Sequence, residues 1–444
     1  MPISGRGNSA VEWWTVLLFF FGGFVVLILT GFPIAFAFFL INIVGAFLFM
    51  GGVEGIKQLT LNMYSALGNF TLTPIPLFIL MGEIIFRSGI ANNALNVFDK
   101  FFGKIPGRLG ILAVAASTFF SGLTGSAISN TALLASSLMP EMHKRGYGKP
   151  LMIGPIVGTG GLAMMIPPSA LAVVLGSVAH ISISGILIGG ILPALIMASL
   201  YSLYIITRSI IDPSIAPDYE INRISPGNIF KEFLIYVLPL FSVIILVLGP
   251  IYMGIATPTE AASLGCVGSL ALTLAYKKLT LKVLYDTLRS TLKTSCMIFL
   301  IIAGSIGYSQ IISFTGAGTG LIGCVTSLNL PDTVLILLML SVLLFLGCFM
   351  DQVSMMMVTM PLFMPIIFQV NINPLWFGLM MLIALDIGFT TPPFGLLLFV
   401  MKGIVSDDIT MVDIYTAALP FILCNLITLG LVLAFPQIVL FFIK

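Results

Sequence analysis

The sequence predicts an all-α polytopic membrane protein built from two inverted-topology repeats. Three observations predict it: composition, an internal register, and the placing of positive charge. Of 444 residues, 59% are hydrophobic and 8% charged, with a mean hydropathy of +1.15. A soluble domain carries about 25% charged residues, and so few charges cannot coat a water-facing surface. At about 20 apolar residues per span, the length allows roughly ten crossings and leaves little over. The net charge of +2 gives no argument for a nucleic-acid partner; the positions of Lys and Arg matter instead.

Apolar runs lie at 13–31, 33–50, 70–87, 108–140, 151–180, 185–207, 233–250, 257–276, 294–314, 333–368, 374–401 and 414–442. The first has no small-residue cleavage motif and reads as a span, not a removed signal. A polar, proline-bearing stretch at 208–232 divides the chain near its midpoint. The halves echo each other. Pro33 answers Pro258 at an offset of 225, and FFSGLTGS around Ser121 answers FLGCFMDQ around Gly347 at 226. IPPS at 166–169 answers TPPF at 391–394 at 225, and Pro193 answers Pro420 at 227. One such match is chance in apolar sequence; four in one register are a repeat.

Charge orients the halves, because Lys and Arg in short loops stay cytoplasmic. Loops 99–108 and 141–149 carry Lys100, Lys104, Arg108, Lys144, Arg145 and Lys149, whereas their counterparts at 325–332 and 366–374 carry none. One element earlier the bias reverses: loop 51–69 holds only Lys57, and 277–293 holds Lys277, Lys278, Lys282, Arg289 and Lys293. The reading is therefore repeat 1 at 1–207, a cytoplasmic connector at 208–232, and an inverted repeat 2 at 233–444. Inversion needs an odd number of crossings per repeat. Five fit, and both termini then face outward.

Two runs do not cross. Segment 108–140 has basic loops at both ends and suits a re-entrant hairpin, as does 333–368 from the other face. Non-helical backbone at that depth is tolerated only where protein or a cavity surrounds it. Segments 151–180 and 374–401 are predicted broken helices, since Pro-Pro pairs at Pro167-Pro168 and Pro392-Pro393 remove backbone donors mid-run. The stretch 277–293 reads as an amphipathic arm helix on the cytoplasmic face.

The chemistry sits at these interruptions. The first hairpin tip offers Ser121, Ser126, Ser129, Asn130 and Thr131, hydroxyls and an amide where Leu would be cheapest; small-residue helix packing is the competing reading. The second tip carries Asp351 and Gln352. An ionisable group in mid-segment by default marks an ion or substrate path. Asp386 stands beside the second break. Matched Gly/Pro interruptions in the two halves of an inverted repeat point to a transporter's midplane site. Glu83 and Arg87, four apart, read as a pair with each other, and Glu260 as structural. The five cysteines and two lone histidines have no metal-like spacing. With no P-loop, HExxH or GxSxG motif, nothing supports an ATP-driven pump or an enzyme. Secondary transport of a small solute is the leading reading, and a channel the main competitor.

These residues carry a resemblance. FFSGLTGSAISNTALLASSLMPEMHKRGY, GLAMMIPPS, GIATPTEAA, LFLGCFMD and IGFTTPPFGLLLFV, in that order, resemble the large (DctM-like) membrane subunit of tripartite ATP-independent periplasmic (TRAP) transporters. The likeness runs over about residues 13–440, and Ser129-Asn130-Thr131 is similar to the hairpin signature of sodium–dicarboxylate symporters. The resemblance implies an elevator mechanism, with hairpins and broken helices moving against a scaffold, and coupling to Na⁺ without an organic cofactor. It implies one sodium site at Ser121, Ala163, Ile166 and Pro167, and another at Gly347, Gly388, Thr391 and Phe394. Ala163 stands where the family often has glycine, but a carbonyl ligand survives that change. Pro168, Pro392 and Pro393 would line the substrate path with the polar tip residues, Asp351, Gln352 and Asp386. The implied partners are a separate small four-helix (Q-type) membrane subunit, a periplasmic binding protein, membrane lipid and a small organic acid. The implied location is the bacterial inner membrane. Proton coupling through Asp351 and Asp386 is the alternative within transport.

Overall fold

The computed structural model describes residues 12–101, 105–217, 226–393, 395–406 and 408–441. Among these residues every regular element is a helix. That is the expected outcome for apolar sequence in lipid, where each backbone polar group must be satisfied within its own segment. Six helices are long and apolar enough to cross a membrane: Phe70–Ser88, Ile183–Ile211, Gly227–Tyr252, Leu281–Phe314, Gln352–Gln369 and Met411–Ala434. A bent pair, Lys149–Met165 with Ala170–Ala179, makes a seventh. Trp13–Leu29, Ile34–Phe49 and Pro374–Thr390 are apolar but shorter. Length alone thus accounts for fewer crossings than the ten expected, and Gln352–Gln369 lies in a segment expected to be re-entrant. Large apolar side chains such as Leu18, Val26, Phe36, Phe47, Ile245, Val267, Leu274 and Leu423 stay exposed. Water penalises such belts, whereas acyl chains do not.

Two local expectations need correction. The predicted loop 51–69 contains a helix, Val53–Leu67, which buries Leu59 and Met63 on one face. The predicted arm 277–293 is not a separate helix: Thr280 caps Val283 through its hydroxyl, and Leu281–Phe314 then runs unbroken. No Pro or Gly interrupts it before Gly304, so the helix has no reason to stop at the membrane edge.

The chain forms two compact units, each drawing on both sides of the 208–232 stretch. One gathers the chain up to Asn69 with Met297–Met339 and Val353–Pro374. Its core interlocks Phe24 with Phe38 (ring centroids 4.5 Å apart) and both Phe20 and Phe38 with Tyr308 (5.5 and 5.9 Å). Asn42 donates to the Gly304 carbonyl at 2.6 Å, and Ser305 to the Met357 carbonyl at 2.6 Å.

The other unit comprises Phe70–Cys296, Leu340–Gln352 and the chain from Leu375 onward. Glycines let its helices approach. A Cβ on Gly265 would lie 2.5 Å from Met81 Sδ, and one on Gly158 would lie 2.4 Å from the Phe421 ring. Glu83 and Arg87 do pair, at 2.6 Å, and Glu260 closes a capping box with Thr257.

Candidate functional site

The first hairpin turns at Gly125. Helix Arg108–Thr124 ends there because Gly125 takes a left-handed conformation (φ +56°), which a residue without Cβ adopts at little cost. Ser126 then accepts a hydrogen bond from the Ser129 N–H at 3.3 Å and starts helix Ala127–Lys144. Asn130 ties the two legs, its Nδ2 donating to Ser117 Oγ at 2.7 Å and Ser121 Oγ at 3.0 Å. Ser117 in turn donates to the Thr159 carbonyl on the broken helix at 2.8 Å. The side-chain oxygens of Asn130 and Thr131 are buried and carry no hydrogen bond.

The first break lies against this tip. Helix Leu162–Met165 gives way to an extended Ile166, and Ser169 caps Ala170–Ala179 by accepting from the Ala172 N–H at 3.3 Å. Pro167 and Pro168 have no N–H, so the Ala163 and Met164 carbonyls lose the donors that a continuous helix would give them. A Cβ on Gly122 would come 3.1 Å from the Pro167 carbonyl, and one on Gly125 would come 3.0 Å from that of Pro168. The backbone of the tip therefore rests on the backbone of the break, with Ser121 adjoining.

The second break is built differently. After Pro374–Thr390, Thr391 donates its hydroxyl to Ile387 at 2.6 Å and its N–H to the Gly388 carbonyl at 3.2 Å. Tyr415 donates to the Pro393 carbonyl at 2.7 Å. Phe394 lies outside the described residues, and Gly395 precedes helix Leu396–Lys402.

The two broken helices meet at Gly160-Gly161. A Cβ on Gly160 would fall 2.1 Å from Thr131 Oγ1 and 2.7 Å from Leu397 Cδ2; one on Gly161 would fall 1.4 Å from Asp386 Oδ1. Asp386 is wholly buried, with Oδ2 accepting from Asn425 Nδ2 at 3.0 Å. Tyr201 donates its hydroxyl to Asn425 Oδ1. Asn425, Tyr201 and Ser117 were not singled out from sequence. Only Asn425, an amide in the middle of an apolar 24-residue helix, gave a usable signal.

The structure thus brings Ser121, Asn130, Thr131, Ile166, Pro167, Pro168 and Asp386 into one neighbourhood. Asp332–Gly347 and Gln352–Gln369 flank a turn holding Asp351, which is half-buried, and the Gln352 amide nitrogen is without a hydrogen bond. Among the described residues no group of three or more His, Cys, Asp or Glu could hold a metal ion. The oxygens on offer are hydroxyls, amide carbonyls and freed backbone carbonyls. These suit a hard, singly charged cation.

Comparison with known proteins gives a consistent result. The model of the tripartite ATP-independent periplasmic transporter DctM component matches residues 21–438. The sialic acid TRAP transporter large permease protein SiaM of Vibrio cholerae is 29% identical over 94% of this chain and 96% of its own. The isethionate TRAP transporter permease protein DctMQ of Oleidesulfovibrio alaskensis is 29% identical over 95% of this chain, which spans 65% of that protein. Among solved structures, the YdaH transporter of Alcanivorax borkumensis shares the fold (TM-score 0.60, 15% identity, 86% of this chain and 89% of that one).

Proposed function

The chain belongs to the DctM component family of tripartite ATP-independent periplasmic transporters, and from that premise we propose that it is the Na⁺-coupled membrane subunit of an importer for a carboxylate-bearing organic acid. The observation that carries the reading is the seating of the first tip on the first break. Gly122, which follows Ser121 in the chain, and Gly125 lie against the Pro167 and Pro168 carbonyls, and Pro167 has no N–H to offer the Ala163 carbonyl. A sodium ion held by Ser121, Ala163, Ile166 and Pro167 would draw tip and break into one geometry. A second would sit at Gly347, Gly388, Thr391 and Phe394. Ordering the tip presents the open N–H groups at Ser126 and Ser169 to the substrate's carboxylate, since helix N-termini favour anions. Coupling is then a matter of shared geometry: the sodium-ordered site binds solute, and the disordered one does not.

The path for solute runs past Ser129, Asn130, Thr131, Asp351, Gln352, Asp386 and the proline pairs. Hairpins and broken helices move together as an elevator against the remaining helices. A periplasmic binding protein delivers the acid, and a small four-helix Q-type subunit completes the membrane complex. The fused DctMQ relative supports that partnership. The complex sits in the bacterial inner membrane with both termini periplasmic.

Uptake by the reconstituted complex, with the binding protein present and Na⁺ exchanged for choline, tests the coupling. Accumulation should fall to background. Ser121→Ala should raise the sodium concentration for half-maximal uptake about tenfold, the effect of losing about 1.4 kcal/mol of binding. Full accumulation without sodium sinks the reading.

A further inference from the structure

Ser117 lies one helical turn before Ser121, wholly buried on the first leg of the hairpin. Its hydroxyl has a single proton, and that proton goes to the Thr159 carbonyl on the first broken helix at 2.8 Å. A carbonyl can only accept, so the direction of this bond is fixed. The Ser117 oxygen therefore turns its lone pairs to Asn130. Only the NH₂ end of that amide can answer them, and it does so at 2.7 Å.

The second N–H of the same amide goes to Ser121 Oγ at 3.0 Å. Ser121 accepts there, which leaves its own O–H and its other lone pair for other groups. Asn130 Oδ1, at the far end of the amide, is buried and carries no hydrogen bond. One donation to a backbone carbonyl thus sets the sense of a chain that joins the broken helix, the first leg and the second leg. Thr159, Ser117, Asn130 and Ser121 are all buried, so water does not compete for these bonds.

A buried amide with its oxygen unanswered costs stability that apolar packing of the same three elements would not. We propose that Ser117 is a positioning residue for the sodium site at Ser121, acting on it through Asn130. The role rests on the sodium-coupled reading. Ser117 is not itself a ligand; it fixes which end of Asn130 faces Ser121, and so holds the Ser121 oxygen in one place on the tip. Without the Ser117 hydroxyl, the Thr159 carbonyl loses its link to the hairpin and an N–H of Asn130 loses its side-chain acceptor. The amide can then turn over and bring Oδ1 to Ser121. Ser121 would donate to Asn130 instead of accepting from it, and its oxygen would be re-aimed.

The test follows thermal unfolding of the purified complex at rising sodium chloride, with choline chloride holding the ionic strength constant. Sodium binds the folded state, so the wild-type melting temperature should climb with it. Ser117→Ala should need about fivefold more sodium for the same climb, the scale of one buried hydrogen bond. Thr118→Ala, which loses a bond to the Val114 carbonyl on the same helix, should need no more than wild type. A lower melting temperature in Ser117→Ala with an unchanged sodium requirement means a merely structural serine and overturns the proposal. If Ser117→Ala does not fold, Ser117→Cys, similar in size but a weak donor, is read by the same criterion. A wild type indifferent to sodium sinks the coupling reading and this role together. A sodium-protected wild type with an unshifted variant sinks this role alone.

Discussion

Single residues at the crossing have almost no room to vary. Gly161 shows why: any Cβ there lands on the Asp386 carboxylate. Overpacking a buried contact typically costs about 1–3 kcal/mol, and here it also displaces a polar group from its Asn425 partner. Gly161→Ala should therefore lower the melting temperature of the purified subunit and reduce uptake, whereas Gly430→Ala, with nothing within 4 Å, should change neither. Equal melting temperatures for the two variants would show that the crossing tolerates displacement. Sequence made Ser121, Asn130 and Asp386 conspicuous, because polar groups in apolar runs are costly unless used. Gly161 was one glycine in a chain of 44. Its role became visible only with its neighbour across the fold.

At the scale of elements, the first break owes its form to two missing N–H groups. Replacing Pro167 and Pro168 together with Ala restores donors that reach the Ala163 and Met164 carbonyls, so the helix can continue. The double variant should reach the membrane at normal levels yet lose at least about tenfold in sodium-dependent uptake, a loss of about 1.4 kcal/mol. Wild-type uptake would mean that the freed carbonyls take no part in the cycle. The second break need not behave alike, since Thr391 already donates to Gly388 and Tyr415 to Pro393. Both breaks were legible, because a Pro-Pro pair in an apolar run has one local consequence. Helix Val53–Leu67 and the unbroken Leu281–Phe314 were not, because a polar amphipathic stretch reads equally as loop or helix until its buried face is known.

The whole molecule raises the question of orientation. The bias of Lys and Arg between 141–149 and 325–332 predicts that these loops face opposite sides of the membrane. In a chain freed of its native cysteines, Lys144→Cys should react only with an impermeant reagent added from the cytoplasm. Ser327→Cys should react only from the periplasm. Both positions are exposed. Labelling from one side alone would remove the inversion and the elevator with it.

The sequence by itself determined the helical membrane class and the points where helices turn or break, because the cost of charge and of missing backbone donors in an apolar run is local and written residue by residue. Tertiary structure alone decided which turn points share a site. It set Gly160-Gly161 against Asp386 and Thr131, bound Asn425 to Tyr201, and drew each compact unit from both halves of the chain. Such contacts join residues far apart in the sequence, 225 positions for Gly161 and Asp386. They rest on the fit of one surface to another, which no spacing along a single chain encodes.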